Sequence, residues 1–211
     1  MLVTMSTPNK AEAWDKRYAE AELVWSQEPN QYVVEYLSDL PVGKMLDLGG
    51  GEGRNALWFA SRGWQAENSD FSAVAVDKFL QRAEQAGLTE LCTGTVGDAT
   101  NSQSCVTRPV DLSVLAYLQL LPADLGAALG VAMLNTRRGG TVFGVWHARE
   151  NVTRGFGGPP ARDLNPSMME LRAACEDLRL NIRTLELRER AVHVDGQDHI
   201  AIDVVLVATV D

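Results

Sequence analysis

The residues best suited to chemistry lie in the run Asp47-Leu48-Gly49-Gly50-Gly51-Glu52-Gly53. Gly49 and Gly51 permit positive φ and let the backbone approach a ligand closely. Gly53 lets a following helix start close to the preceding strand. The N-terminus of that helix offers free N–H groups to a carboxylate or phosphate. A dinucleotide loop is spaced G-x-G-x-x-G. Here the spacing is G-x-G-x-G, and Arg54 stands where the third glycine belongs. The tighter spacing disfavours a pyrophosphate cradle, and the charge of Asp47 would repel one. That same charge suits an ammonium group, so a zwitterionic amino acid joined to a nucleoside fits both facts.

Two further carboxylates extend the pattern. Asp70, in Asp70-Phe71-Ser72, lies 19 residues after Gly51 and can accept hydrogen bonds from two ribose hydroxyls. Asp98, in Gly97-Asp98-Ala99, is placed to accept one from an exocyclic adenine amine. Taken singly, each has a plainer reading. Glycine-rich turns arise for steric reasons alone, and an Asp ending a strand is often a turn former or cap, as Asp70 ahead of Ser72 can be. The ordered set D-x-G-x-G-x-G, D-F-S, G-D-A selects nucleoside binding over those readings.

The elements that must position these residues alternate along the chain. Apolar residues recur at helical spacing over 10–23 and 30–39, and Pro41-Val42-Gly43 ends the second helix. Met45–Gly49 reads as a first strand and Asn55–Ser61 as a helix stopped by Gly63. Gln65–Asp70 is a weak second strand, because Glu67, Asn68 and Ser69 suit a doubly covered strand poorly. Ser72 caps a helix reaching Ala86, and Gly87 ends it. Strands follow over 91–96, 111–116 and 140–146, with a helix from Pro122 to Asn135. Residues 147–165 contain Gly157-Gly158-Pro159-Pro160 and read as a long, functional or mobile loop. A helix over 166–178 precedes two strands, 183–194 and 200–207, joined by a turn with Asp195-Gly196. The expected fold is α/β, a doubly wound, Rossmann-like, mostly parallel seven-stranded sheet with an antiparallel C-terminal hairpin and helices on both faces. Residues 1–211 form one domain, with 1–40 a helical lid segment, 41–211 a core and 147–165 a flexible loop over the acceptor site.

Composition bounds the partners. A net charge of -9 and pI of about 4.9 disfavour nucleic acid and anionic membranes. The pair Arg137-Arg138 is too short a basic patch to override that charge and reads as a solvated helix end. No apolar run reaches the roughly 20 residues that cross a bilayer, and no signal peptide is legible. Cys92, Cys105 and Cys175, odd in number and far apart, read as reduced thiols of a cytoplasmic protein. His147, His193 and His199 show no metal-ligand spacing, so no metal is expected. The expected state is a monomer or homodimer.

These residues resemble the class I S-adenosylmethionine-dependent methyltransferases, and among them the small bacterial tellurite-resistance-type or generic methyltransferase-domain group. The likeness rests on Trp14-Asp15-Lys16-Arg17-Tyr18, Asp47 through Asn55, Asp70-Phe71-Ser72 and Tyr117-Leu118-Gln119-Leu120. Val24-Trp25-Ser26 and Gly157-Gly158-Pro159 also fit it, and it spans residues 12–207. It implies S-adenosylmethionine as cofactor and S-adenosylhomocysteine as product. Asp47, Gly49, Gly50, Gly51 and Gly53 would hold the methionine part. Asp70 would bind the ribose, with Ser72 next to it in the cofactor site; Phe71 would pack near the adenine, and Asp98 and Ala99 would bind the adenine edge. Ala116 and Tyr117 would sit by the sulfonium, with Arg17 and Trp25 closing over the cofactor, while Trp14 and Tyr18 would pack. Gly50 departs from the usual cysteine or alanine and would add flexibility.

Methyl transfer needs alignment more than a catalytic constellation, and a base only where the acceptor loses a proton. His147 and Tyr117 are the candidate catalytic residues, His147 as base, substrate contact or cap. Gln119 is a further candidate for the acceptor site. Arg149 and Arg154 would pair with an anionic acceptor or remain solvated. The expected partner is a small-molecule acceptor, under a lid formed by 147–165 and the N-terminal helix. Two other functions fit the same sheet, a non-catalytic module binding the cofactor or its product and a nicotinamide-dependent oxidoreductase. Arg54 speaks against the second.

Overall fold

The computed structural model describes residues 10–24, 26–103 and 109–211, so Trp25 and Cys105 lie outside the described residues. Seven strands form one sheet in the order β3-β2-β1-β4-β5-β7-β6. They are β1 Lys44–Leu48, β2 Gln65–Asp70, β3 Cys92–Val96, β4 Val110–Ala116, β5 Thr136–His147, β6 Leu180–Val194 and β7 Gln197–Val210. β1 through β5 run parallel, whereas β7 pairs antiparallel with both β5 and β6. Strand order reverses between β1 and β4, which opens a crevice at their carboxyl ends.

The helices are α1 Lys10–Ala19, α2 Gln31–Leu37, α3 Arg54–Ala60, α4 Ala73–Gln85, α5 Pro122–Asn135, α6 Asn151–Arg154 and α7 Met168–Asp177. Side chains alternate across a strand, and here both faces are apolar. Met45, Leu112, Val114 and Phe143 pack with Tyr32, Phe59 and Phe79 on one side. Leu46, Leu48, Leu115 and Trp146 pack with Leu125, Leu129 and Leu171 on the other. Two buried layers thus clamp the sheet and set the register of the strand ends. None of the described helices is long and apolar enough to cross a membrane.

The element boundaries differ from the sequence reading in instructive places. α1 ends at Ala19, before the predicted 23. β5 begins at Thr136, directly after α5, and the β6–β7 hairpin is longer than its apolar runs. Its turn has Asp195 at φ 52° and Gly196 at φ 76°, the paired positive values of a tight I′ turn. β2 forms over its full expected range despite its polar composition, with Asn68, Ser69 and Asp70 buried.

Residues 147–165 are tied down at two asparagines. Asn151 is 2% exposed; its Oδ1 accepts from the Ile202 N–H at 2.7 Å and its Nδ2 donates to the Gly157 carbonyl at 2.9 Å. Asn165 is fully buried and donates to the Pro159 and Ala161 carbonyls at 2.9 and 2.8 Å. Gln119 donates to Asn165 and to the Leu164 carbonyl, and Arg149 pairs with Glu170 at 2.7 Å. Gln119 and Arg149 therefore fasten the loop, where the sequence reading had Gln119 as a candidate for the acceptor site and Arg149 as an acceptor contact or a solvated charge. Replacing Asn151 by Ala leaves the buried Ile202 N–H without a partner. The expected cost is about 1–3 kcal/mol, or a melting temperature about 2–10 °C lower. A thermal melt unchanged from wild type would remove Asn151 as the anchor.

Candidate functional site

The glycine loop leaves β1 at Leu48 and enters α3 at Arg54. Gly49, Gly51 and Gly53 have φ of 65°, 57° and 72°, where a side chain would be strained. Gly50 is not among the positive-φ glycines, but a Cβ there would stand 2.1 Å from Asn68 Oδ1 and 2.7 Å from Asp47 Cγ. Its glycine is therefore a matter of close approach, which corrects the reading of added flexibility. The polar residues of β2 explain themselves here. Gly49 N–H donates to the Ser69 carbonyl at 2.7 Å, Asn68 Nδ2 donates to the Gly51 carbonyl at 2.8 Å, and Gly51 N–H donates to Asp70 Oδ2 at 2.9 Å. β2 sacrifices apolar side chains to hold the loop.

Asp47 lies fully buried beneath this loop. Neither carboxylate oxygen has a hydrogen-bond partner, nor has Asn68 Oδ1 next to it. Burial pushes the Asp47 carboxyl up to about 7, although Asn55, Arg54 and the Ala56 N–H face it and draw it down. The Asn55 and Ala56 groups lie near without reaching good hydrogen-bond geometry. Three unsatisfied acceptors against a glycine without a side chain fit an ammonium group, which brings three donors and a positive charge.

Asp70 sits at the carboxyl end of β2, 4% exposed, and its Oδ1 accepts the Ser72 N–H at 2.9 Å. Burial raises its pKa above the ordinary carboxylate range against those two N–H groups. Each oxygen keeps a lone pair, so it can still accept a hydroxyl. Ser72 caps α4 by accepting from the Ala75 N–H and donates to Asp15 Oδ1 at 2.5 Å. Phe71 is half-buried. At the end of β3, Asp98 is exposed and accepts from Thr100 through its N–H at 2.8 Å and its hydroxyl at 2.7 Å, and Ala99 is buried behind it. Asp47, Asp70 and Asp98 thus stand at or beside the ends of β1, β2 and β3. Arg17 is exposed and stacks over Trp14 at 4.9 Å, and Trp14 packs on the buried Tyr18.

The sequence reading missed what holds the N-terminal segment over the loop. Lys78, on α4, donates to the carbonyls of Tyr18 at 2.6 Å, Ala21 at 2.5 Å and Glu22 at 3.1 Å, and pairs with Glu52 at 3.3 Å. Glu52, 2% exposed, accepts the Val24 N–H at 3.0 Å. Arg54 donates to Ser26 at 3.1 Å. One lysine thus straps residues 18–24 to the loop. No local pattern announces it, because its partners are backbone carbonyls about 60 residues away.

A second cluster, of which the sequence pointed only to Tyr117 and His147, stands where β4 and β5 end against residues within β6 and β7. Ala116 and Tyr117 follow β4, and Tyr117 has φ 58°, a position most side chains avoid. Its hydroxyl donates to Asp203 Oδ2 at 2.9 Å. Arg190 Nε lies 2.8 Å from the same oxygen, and His147 Nδ1 lies 3.1 Å from Oδ1, within ion-pair reach but off the hydrogen-bond line. Burial alone would raise the Asp203 pKa; His147 and Arg190 outweigh it and hold the carboxyl below its ordinary value. The Tyr117 hydroxyl is raised, by burial first and by Asp203 second.

Asp47 makes the site legible in stability. A carboxyl raised in the folded state binds its proton more tightly folded than unfolded, so stability falls as pH rises from about 4 to 7 and is level above. Asp47→Asn removes that loss. The variant without ligand is expected to melt higher than wild type at pH 8, by up to about 4 kcal/mol, and to match it near pH 4. Melts at both pH values check this, and a lower melting point at pH 8 would contradict it.

Comparison with known proteins agrees with this geometry. The model of the thiopurine S-methyltransferase family matches residues 9–110. A tRNA 5-carboxymethoxyuridine methyltransferase from Escherichia coli (strain K12) is 32% identical over 99 residues. That match covers 47% of this chain and 38% of the relative, so the chain spans well under half the length of the curated relatives it matches. Among solved structures, one from work on the conversion of a disulfide bond into a thioacetal group during echinomycin biosynthesis superposes with TM-score 0.77 at 19% identity, covering 96% of this chain and 93% of the other. TehB from Haemophilus influenzae gives 0.71 at 16% identity, over 96% and 68%. Magnesium protoporphyrin IX methyltransferase from Synechocystis PCC 6803 with bound SAM gives 0.60 at 16%, over 95% and 79%. At these identities the structures speak for the fold alone, a Rossmann-like sheet of the kind found in methyltransferases, while the family model and the curated relative match the part of the chain that carries the glycine loop.

Proposed function

We propose that this chain transfers a methyl group from S-adenosylmethionine to a small-molecule acceptor. The observation that carries the reading is the buried, unpartnered Asp47 carboxylate under the glycine loop. When bound, the cofactor supplies an electrophilic methyl carbon. Asp47 accepts from the cofactor's ammonium, Asp70 from its ribose, and Asp98 with Ala99 from its adenine edge. Phe71 packs beside the base, and Ala116 and Tyr117 face the reacting centre. Tyr117, His147 and the loop 147–165 then orient the acceptor and exclude water.

A small acceptor is supported by the net charge of -9, which opposes a polyanion, and by the packing of loop 147–165 against His147 and Gln119. The E. coli relative that acts on tRNA favours the other reading, nucleic acid. Labelled S-adenosylmethionine offered with a small-molecule extract and with total tRNA decides between them. Label in the small-molecule fraction is expected. Label in tRNA alone would overturn the acceptor class, and cofactor binding without any transfer would point to a non-catalytic module.

Calorimetry tests the cofactor directly. Both S-adenosylmethionine and S-adenosylhomocysteine are expected to bind, and NADH is not. Asp70→Ala, which removes charge-assisted hydrogen bonds of about 1.5–3 kcal/mol, should weaken binding about 10–100-fold. Absence of binding to either ligand would end the proposal. Limited proteolysis follows the lid: cleavage within 147–165 and around residue 20 should slow with S-adenosylhomocysteine present, and equal cutting with and without it would argue against closure.

A further inference from the structure

We infer that Asp203 is a positioning residue that holds His147 as a proton acceptor, so that the methyl acceptor is a protic group, an O–H or S–H that gives up its proton as it is methylated. This rests on the methyltransferase reading and deepens it.

The geometry is built by the sheet. His147 ends β5, and its register partner on β7 is Asp203, so the two side chains stand on one face. Asp203 is fully buried, and its oxygens are met by Arg190, Tyr117 and His147. An ionised carboxylate has no proton to give. The carboxylate facing Nδ1 at 3.1 Å, short of hydrogen-bond alignment, favours a proton on Nδ1, and in the neutral imidazole the lone pair is then left on Nε2. Nδ1 is buried, and 16% of the side chain stays exposed.

The ring is also confined. Tyr117 lies on it at 4.8 Å between centroids. Gly158, at φ +75°, comes so close that a Cβ there would stand 2.6 Å from His147 Cδ2. Tyr117 itself occupies the left-handed region, and its N–H is fixed by the Val145 carbonyl at 2.8 Å. Backbone in such a region persists only where its surroundings hold it, and such residues cluster at functional sites. Arg190, fixed to Asp203, keeps the carboxylate from turning away from His147.

In the reaction the acceptor's X–H proton passes to His147 Nε2. The X lone pair forms the bond to the methyl carbon, and the electrons of the broken C–S bond remain on sulfur. The imidazolium that results is compensated by Asp203. An acceptor that arrives already ionised needs none of this, which is why the pair speaks for a protic one.

Long-range 1H–15N NMR of the full chain carrying 15N-histidine reads the tautomer, with His147→Gln assigning the signal. His147 is expected as the Nδ1–H tautomer in wild type, and Asp203→Asn should shift it toward Nε2–H. An Nε2–H tautomer in wild type, or no change in Asp203→Asn, would overturn the proposal without any acceptor being known. S-adenosylhomocysteine binding, measured on the same samples, should be retained in both variants; its absence in wild type is instead the failure of the methyltransferase reading. Where label transfer to the extract is seen, each single variant should lose about 10²–10⁴-fold in rate. The double variant should lose little more, as residues acting as a unit do. Additive losses would assign Asp203 a purely structural role and sink the idea.

Discussion

Removing a carboxylate from water costs several kcal/mol unless something replaces the lost hydration. This protein buries three aspartates at one end of one sheet: Asp47, Asp70 and Asp203. The three are treated differently, and the differences organise the site. Asp203 is hydrogen-bonded at Oδ2 by Arg190 and Tyr117 and has His147 3.1 Å from Oδ1. Asp70 is fed by two loop N–H groups and keeps acceptor capacity. Asp47 is left without hydrogen-bond partners, so the folded chain carries an uncompensated cost, the one that the proposed cofactor's ammonium would remove.

The rest of the sheet serves these three positions. The apolar layers on either face fix where β1, β2, β4, β5 and β7 end, within the tolerance of packed side chains. β2 looks unsuited to its place until the loop is considered. Asn68 and Ser69 are poor filling for a covered strand, but their amide and carbonyl hold the glycine loop in a conformation that would otherwise be free. Lys78 does for the N-terminal segment what β2 does for the loop, gathering carbonyls left open where α1 ends.

Element type and much of the site were legible before any coordinates, because their signals are local. The glycine spacing, the caps Ser72 and Pro122, and the Asp195-Gly196 turn each act within a few residues. Doubly covered strands announce themselves by apolar runs. The acids Asp47, Asp70 and Asp98 could be aligned with strand ends by counting alone. What could not be counted was how a residue is used once buried. Gly50 looks like a permissive substitution and is a close contact; Arg149 looks like a substrate group and is a loop fastener.

Propensity, periodicity and short spacing set the alternation of strands and helices, the glycine loop and the acids beside it. Only the folded chain leaves Asp47 without hydrogen-bond partners, lets Lys78 strap the N-terminal segment and brings Asp203, Arg190, Tyr117 and His147 together. The aspartates and their partners depend on register between strands distant in sequence, where a shift of one residue would turn each side chain to the opposite face of the sheet, and the Lys78 contacts depend on α4 packing against the N-terminal segment.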